Sequence, residues 1–210
     1  MSNEYLVFDL ETQRSAEEVG GWSNIAEMRM SVGVVWDSKK QKHFTYLNDQ
    51  VEDLIAHLSS GPRVIGYNHI GFDYVVLSGY YEKGPLRNQK LQKLKSLKNL
   101  DLLLDLKDRI GRRVKLDSVA RPTLKIGKSA DGLQALQWYK EYLGGDEKKL
   151  QEIADYCRQD VSVTRDVYLY GLSRKEVLYY DHIKGVTAVS VNWSDQSEDD
   201  QEEDSVQLSF

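Results

Sequence analysis

A chain of 210 residues with 40% apolar and 29% charged side chains is long enough for one domain with a full core and has the make-up of a soluble globular protein. No apolar run nears the roughly 20 residues of a bilayer-spanning helix, and the first residues lack the basic-then-apolar order of a secretory signal, so no membrane contact and a cytoplasmic location are expected. The one cysteine, Cys157, excludes an internal disulfide and a cysteine-based zinc cluster, and is expected to be a small core residue.

Tyr5 to Phe8 reads as a buried strand running into Asp9-Leu10-Glu11-Thr12. On a strand, residues i and i+2 face one side, so Asp9 and Glu11 point together unless the strand ends at Phe8 and both acids are solvated. Arg14 to Glu27, with its Gly20-Gly21 pair, is expected to be a loop holding a short helix just beyond the two acids. Met30 to Trp36 and His43 to Leu47 read as strands joined by a polar hairpin, and Asp49 to Leu58 as a helix stopped near Ser60-Gly61-Pro62.

Val64 to Asn68 reads as another buried strand, followed by a helix from His69 to Leu77 entered through Gly71, with Asp73 at its start. Asn88 to Leu97 is a basic helix with Leu91, Leu94 and Leu97 on one face; Leu100 to Ile110 is a strand end and helix closed by Gly111; Leu116 to Leu124 is a further helix. Asp131 to Leu143 should turn Leu133, Leu136 and Tyr139 or Trp138 inward and end at Gly144-Gly145. Glu147 to Asp160 is strongly amphipathic through Leu150, Ile153, Ala154 and Cys157, continues to Leu169, and is expected to stop at Gly171. Tyr156 and Asp160, four apart, share one face of it. A hairpin of Glu176 to Tyr180 with Val186 to Trp193 closes the folded part.

Asp9, Glu11, Asp73 and Asp160 thus stand at element ends or on a helix face, with Tyr156 one turn before the last. Acids placed side by side repel and need a counter-charge; hard oxygen ligands select Mg²⁺ or Mn²⁺, and a pair of such ions serves in-line attack on a phosphodiester. A tyrosine at helical spacing can equally be a core aromatic. His43, His57 and His182 show no metal-ligand spacing, and His69 reads as structural.

Asp9-Leu10-Glu11-Thr12, Asn68-His-Ile-Gly-Phe72-Asp73 and Tyr156-Cys-Arg-Gln-Asp160, in that order, resemble the three motifs of DEDD-type 3′-to-5′ exonucleases. These belong to the DnaQ-like, ribonuclease-H-like superfamily, which includes the proofreading domains of family B polymerases. The Tyr-x-x-x-Asp form is similar to the tyrosine subclass, and Asp117-Ser-Val-Ala, Lys128 and Asp131-Gly132 also have counterparts in stand-alone members.

The resemblance covers about Tyr5 to Gly171. It implies an α/β domain with a mixed five-stranded sheet flanked by helices, its first three strands antiparallel and the rest parallel to the first. It implies two divalent cations, Mg²⁺ or Mn²⁺, with Asp9 bridging both, Glu11 and Asp160 holding the one that activates water, and Asp73 helping with the second. Tyr156 would position the water, its unperturbed pKa near 10 making it a poor base at neutral pH. Thr12 would contact the substrate strand, Asn68 and Phe72 would contact or support it near its 3′ end, and Lys128 would either reach a phosphate beside the site or be a solvated lysine. The implied reaction is hydrolysis from the 3′ end of DNA, in replication or repair. RNA as substrate, and a silent module that binds nucleic acid or a replication partner, are the alternatives.

Lys83 to Lys115 holds eleven basic residues against Asp101, Asp105 and Asp108, either a solvated face or a track for a polyanionic strand. Residues 194 to 210 carry seven acids and no Lys or Arg, the composition of a disordered tail following a domain of residues 1 to 193. Their apolar tip, Gln207-Leu-Ser-Phe210, is similar to the Gln-Leu-x-Leu-Phe peptides that bind bacterial sliding clamps, one residue short. A tail that only solubilises, one that lies over the basic face and competes with nonspecific nucleic acid, and one whose tip docks on a protein partner are the three readings of this segment.

Overall fold

The computed structural model describes residues 4–126 and 132–194. In chain order it runs through β1 (Tyr5–Thr12), a 3-10 helix (Trp22–Glu27), β2 (Met30–Asp37), β3 (Lys42–Leu47), α1 (Val51–Leu58), β4 (Arg63–Gly66), α2 (Asp73–Ser78) and α3 (Pro85–Lys95). There follow β5 (Asn99–Asp101), α4 (Leu102–Ile110), α5 (Leu116–Leu124), α6 (Gly132–Leu143), α7 (Lys148–Arg174), β6 (Glu176–Asp181) and β7 (Gly185–Ser190). The acidic tail beyond Ser194, with its clamp-like tip, lies outside the described residues, as do Lys128 and Asp131.

Five strands form one mixed sheet in the order β3-β2-β1-β4-β5. β1 pairs antiparallel with β2 and parallel with β4; β2 pairs antiparallel with β3, and β4 parallel with β5. Helices cover both faces, so β1 buries side chains in both directions and its neighbouring residues go to different cores. Leu6, Phe8 and Leu10 pack with α1, α2 and α3, whereas Val7 packs with Val32, Val34 and the α7 residues Ile153, Cys157 and Val161. Asp9 and Glu11 follow Val7 at alternate positions, and so emerge on the α7 side.

Most expected elements are present with ends shifted by a few residues. α3 starts at Pro85, three residues before the expected Asn88, because proline's fixed φ and missing N–H suit a helix's first turn. Only Leu94 of its leucine face is fully buried. The inward stripe of α6 is Ala135 and Tyr139, with Leu136 and Trp138 half-buried; the side chain of Leu133 lies outside the description. α7 does not stop at Gly171 but runs to Arg174, capped by Lys175 in the left-handed conformation.

Gly171 serves packing instead of termination. A Cβ there would lie 2.2 and 2.4 Å from ring carbons of Trp193, which is fully buried and donates its indole N–H to Asp105 Oδ2 at 2.8 Å. The β6–β7 hairpin packs on α5 and α7 and ends in this indole anchor. We predict that Gly171→Ala destabilises the fold by about 1–3 kcal/mol through overpacking, measured by denaturant unfolding. An unchanged midpoint would mean that Trp193 yields freely and anchors nothing.

Candidate active site

β1 sits at the middle of the sheet and delivers Asp9 and Glu11 beneath α7. A register shift between Glu11 and Thr12, where Glu11 pairs with Val32 but Thr12 with Met30, ends the regular ladder just past the two acids. From above, α7 brings Tyr156 and, one turn later, Asp160. One carboxylate oxygen from each of Asp9, Glu11 and Asp160 lies within 4.8 Å of the others. The Tyr156 hydroxyl donates to the Asp160 carboxylate, and its ring meets Trp138 edge-on with centroids 6.3 Å apart.

Asp73 comes from the first turn of α2, on the other side of β1. β4 pairs with β1 only as far as Val7, and beyond that point Asp73 Oδ1 accepts the Leu10 N–H at 3.1 Å. Its carboxylate therefore stands behind the trio, almost wholly buried, and outside the 4.8 Å group. Cys157, the expected core cysteine, is buried, with its thiol directed at Asp9, 3.4 Å from the carbonyl oxygen and 3.8 Å from Oδ2.

The electrostatics follow from this crowding. Burial, then the charges of Asp73, Glu11 and Asp160, push the Asp9 carboxyl far above the usual range. Glu11 is raised in the same way, by burial and by Asp160 and Asp73. Burial lifts Asp73 to about 7 against the opposing Leu10 N–H, and lifts Asp160 to about 6 against the Tyr156 hydroxyl. The Tyr156 phenol is itself raised by burial and by Asp160, so at neutral pH it is a proton-bearing donor.

Among the described residues no Lys, Arg or His forms an ion pair with Asp9, Glu11 or Asp160. Half-buried acids converging without an internal cation, all offering oxygen, are a donor set suited to a hard divalent ion. The residues present therefore fit the expected Mg²⁺ or Mn²⁺.

The residues expected to contact substrate are arranged as follows. Thr12 is nearly buried and its hydroxyl donates to Arg14 O at 3.1 Å, within the loop. Asn68 adopts a left-handed φ of 73° and its Oδ1 accepts from Arg113 Nη2 at 2.9 Å. Phe72, half-buried, immediately precedes Asp73, with its ring 6.4 Å from that of Trp22. His69 is fully buried against Tyr74 and Asn99, in keeping with the structural role expected for it.

Sequence reading passed over Asp101. This buried carboxylate accepts the N–H groups of Asn68 at 2.8 Å and Ile70 at 3.1 Å, and those of Leu103 and Leu104 at the start of α4. It thereby fixes the turn between β4 and Asp73 while capping α4. The signal was an acid directly before Leu102-Leu-Leu, an N-cap pattern.

The basic stretch does not form one strip. α3 packs on the α1–α2 face of the sheet and α4 on the α7 face, with β5 between them. Arg87 is held by Glu27, Arg109 by Asp105 and Arg112 by Asp181, so Arg113 is the member whose side chain reaches the second motif.

Residues 6–170 match the RNase H superfamily, and the chain belongs to it. Among solved structures it is similar to the family B DNA polymerase of the hyperthermophilic archaeon Pyrobaculum calidifontis, with a TM-score of 0.56 and 16% identity. The match covers 83% of this chain and 26% of the polymerase, so the chain spans about a quarter of that relative's length. A comparison with curated proteins finds no match. No helix among the described residues is long and apolar enough to cross a membrane.

Asp101→Asn leaves buried N–H donors facing an amide in place of a carboxylate and should lower stability by about 2–4 kcal/mol in chemical unfolding. A loss under about 1 kcal/mol would remove Asp101 as the organiser of the turn. Separately, Asp73 and Asp160 take up protons on folding because their folded-state values lie above an unfolded carboxylate near 3.9. The stability they allow is full below that value and is lost as pH rises through about 6 and 7. The metal-free melting temperature should therefore fall between about pH 5 and pH 8, Asp9→Asn should raise it at pH 8, and Mn²⁺ should raise it in the wild type. A melting temperature insensitive to Mn²⁺ at pH 8 would argue against a cation site.

Proposed function

We propose that the chain is a metal-dependent 3′-to-5′ exonuclease acting on DNA with a single-stranded or otherwise accessible 3′ terminus. The observation that carries this reading is the convergence of Asp9, Glu11 and Asp160 at the end of the central strand, without a counter-charge among the described residues. Superfamily membership and the similarity to a DNA polymerase support a nuclease, and the polarity is carried over from the resemblance of the three motifs to 3′-to-5′ exonucleases.

Asp9, Glu11 and Asp160 would hold two divalent cations with Asp73 behind them; when bound, such ions acidify water and stabilise the leaving oxygen. The chain's own groups do the rest. Tyr156, protonated and tied to Asp160, offers its oxygen to the attacking water as a hydrogen-bond acceptor and fixes the line of approach. Water oxygen bonds to phosphorus, the bond to the 3′ oxygen of the preceding nucleotide breaks, and that oxygen takes up a proton. A nucleoside 5′-monophosphate and a strand shorter by one nucleotide result. Asn68, with Arg113 on its amide oxygen, and Phe72 border the strand on the Asp73 side.

Digestion of a 5′-labelled single-stranded DNA and its RNA counterpart with Mg²⁺ or Mn²⁺ tests the proposal. The expected product is a ladder shortening from the 3′ end, stronger on DNA, abolished by Asp160→Ala and slowed about tenfold or more by Tyr156→Phe. Cleavage only of RNA would reassign the substrate, and no cleavage of either with binding retained would overturn the catalytic reading.

A further inference from the structure

Between Lys83 and Asp101 the chain carries no acid, and all of α3 falls within that interval. Arg87, Lys90, Lys93 and Lys95 therefore share one helix without the acidic neighbours that usually neutralise such a row, and Lys90 and Lys93, three apart, repel each other. Arg87 is held by Glu27, whereas Lys90, Lys93, Lys95 and the following Lys98 form no ion pair among the described residues. A groove of about 170 Å³ opens between this helix and α1. Ile55, Ala56 and Leu94 give it an apolar lining, and Lys90 and Lys93 a cationic one. Glu52 stands toward the start of α1 and Ser59 at its end, where the enclosed Ser59 hydroxyl has no hydrogen-bond partner among the described residues. A ligand with negative charge and apolar side chains together fits such a place.

The last described residues lie near it. The Trp193 carbonyl accepts from Arg63 Nη1 at 2.8 Å. Arg63 opens β4, four residues after Ser59, and the adjoining Val64 N–H donates to Lys98 O at 2.7 Å. Ser194 thus stands at the amino end of β4 and β5, away from the carboxylate site, beside Lys98 and one loop from the groove. That loop, Ser59 to Arg63, spans at most about 14 Å, whereas residues 195–210 reach roughly 50 Å when extended. They carry seven acids, from Asp195 to Asp204, followed by Val206, Leu208 and Phe210 at alternate positions. Acids come first, where the lysines begin, and apolar side chains follow, where the groove lies.

We propose that residues 195–210 dock on α3 of their own chain, with the acids along Lys98, Lys95, Lys93 and Lys90 and with Val206, Leu208 and Phe210 against Ile55, Ala56 and Leu94, and that this contact withholds the basic face from polyanions. Exposed ion pairs are weak one by one, but a tethered segment meets its site at an effective concentration of about millimolar, so weak pairs suffice. A nucleic acid then finds a competitor already in place on α3 and none at the opposite end of β1, where Asp9 and Glu11 lie. Neither the charge match nor the apolar match depends on the nuclease reading.

A nitroxide attached at Ser205→Cys in the full chain tests the contact by paramagnetic broadening of backbone amides; Cys157 is buried and stays unlabelled. Broadening should concentrate on Ile55, Ala56, Ser59 and Lys93, fall as salt rises, and weaken severalfold when Lys90→Glu and Lys93→Glu are combined. Broadening that is absent or spread evenly overturns the docking. Broadening of isotope-enriched, unlabelled protein by labelled protein assigns the groove to a second copy and overturns it too. Shielding is read from the anisotropy of a short DNA duplex in EDTA, where turnover is excluded. Replacing the seven acids by Asn and Gln should tighten duplex binding about tenfold or more at low salt, and Lys90→Ala with Lys93→Ala should remove that gain. Equal affinities of the native and neutralised chains overturn the shielding role. So does a gain that survives the lysine changes, since net charge alone would then produce it.

Discussion

The structure depends on one unfavourable interaction. Asp9, Glu11 and Asp160 bring carboxylate oxygens to within 4.8 Å of one another, with Asp73 behind them; burial drives their proton affinities upward, and at Asp9 and Glu11 the neighbouring carboxylates add to it. Left to itself such a cluster would splay. It is held because Asp9 and Glu11 belong to the middle strand of the sheet, paired with β2 along their whole stretch and with β4 up to Val7, and because Asp160 belongs to a 27-residue helix whose buried face runs from Ile153 to Gly171. Each acid is carried by an element whose position is set by apolar burial elsewhere. The core supplies the stability that the site consumes.

The carboxyl ends of the three parallel strands β1, β4 and β5 meet at one edge of the sheet, which is where α/β folds collect their functional groups. β1 contributes Asp9 and Glu11, β4 leads to Asn68 and Asp73, and β5 ends in Asp101. Asp101 makes this edge one unit. By accepting N–H groups from the turn after β4 and from the start of α4, it couples the placement of Asp73 to the pairing of β4 with β5. Gly66 belongs to the same arrangement, since a Cβ there would lie 2.8 Å from the His69 ring that fills the turn.

Much of this was legible in the sequence because strong periodicities carried it. The alternation through Tyr5 to Glu11 placed two acids on one face, and the four-residue spacing of Tyr156 and Asp160 placed them on one side of a helix. The mixed sheet and its strand directions came from the family resemblance, and the observed pairing agrees. What the sequence hid were matters of partnership. Gly171 resembles a helix stop but is a contact surface for an indole 22 residues on. Asp101 looked like one more acid in a basic stretch, although its distinguishing property is the set of backbone donors that the turn turns toward it. The basic stretch itself read as one feature because it is continuous along the chain, yet β5 divides it between opposite faces of the sheet.

That division bears on how a polyanion would be held. A continuous basic strip would make affinity mainly electrostatic and steeply dependent on salt. Here three of the arginines are engaged by Glu27, Asp105 and Asp181, and the region next to the acids is served by Arg113 through Asn68. A strand approaching an anionic cluster needs attraction from other sources at its terminus. On the exonuclease reading, cations held by the acids would supply it at the phosphate, so that the repulsive feature of this edge would become the strand's point of attachment.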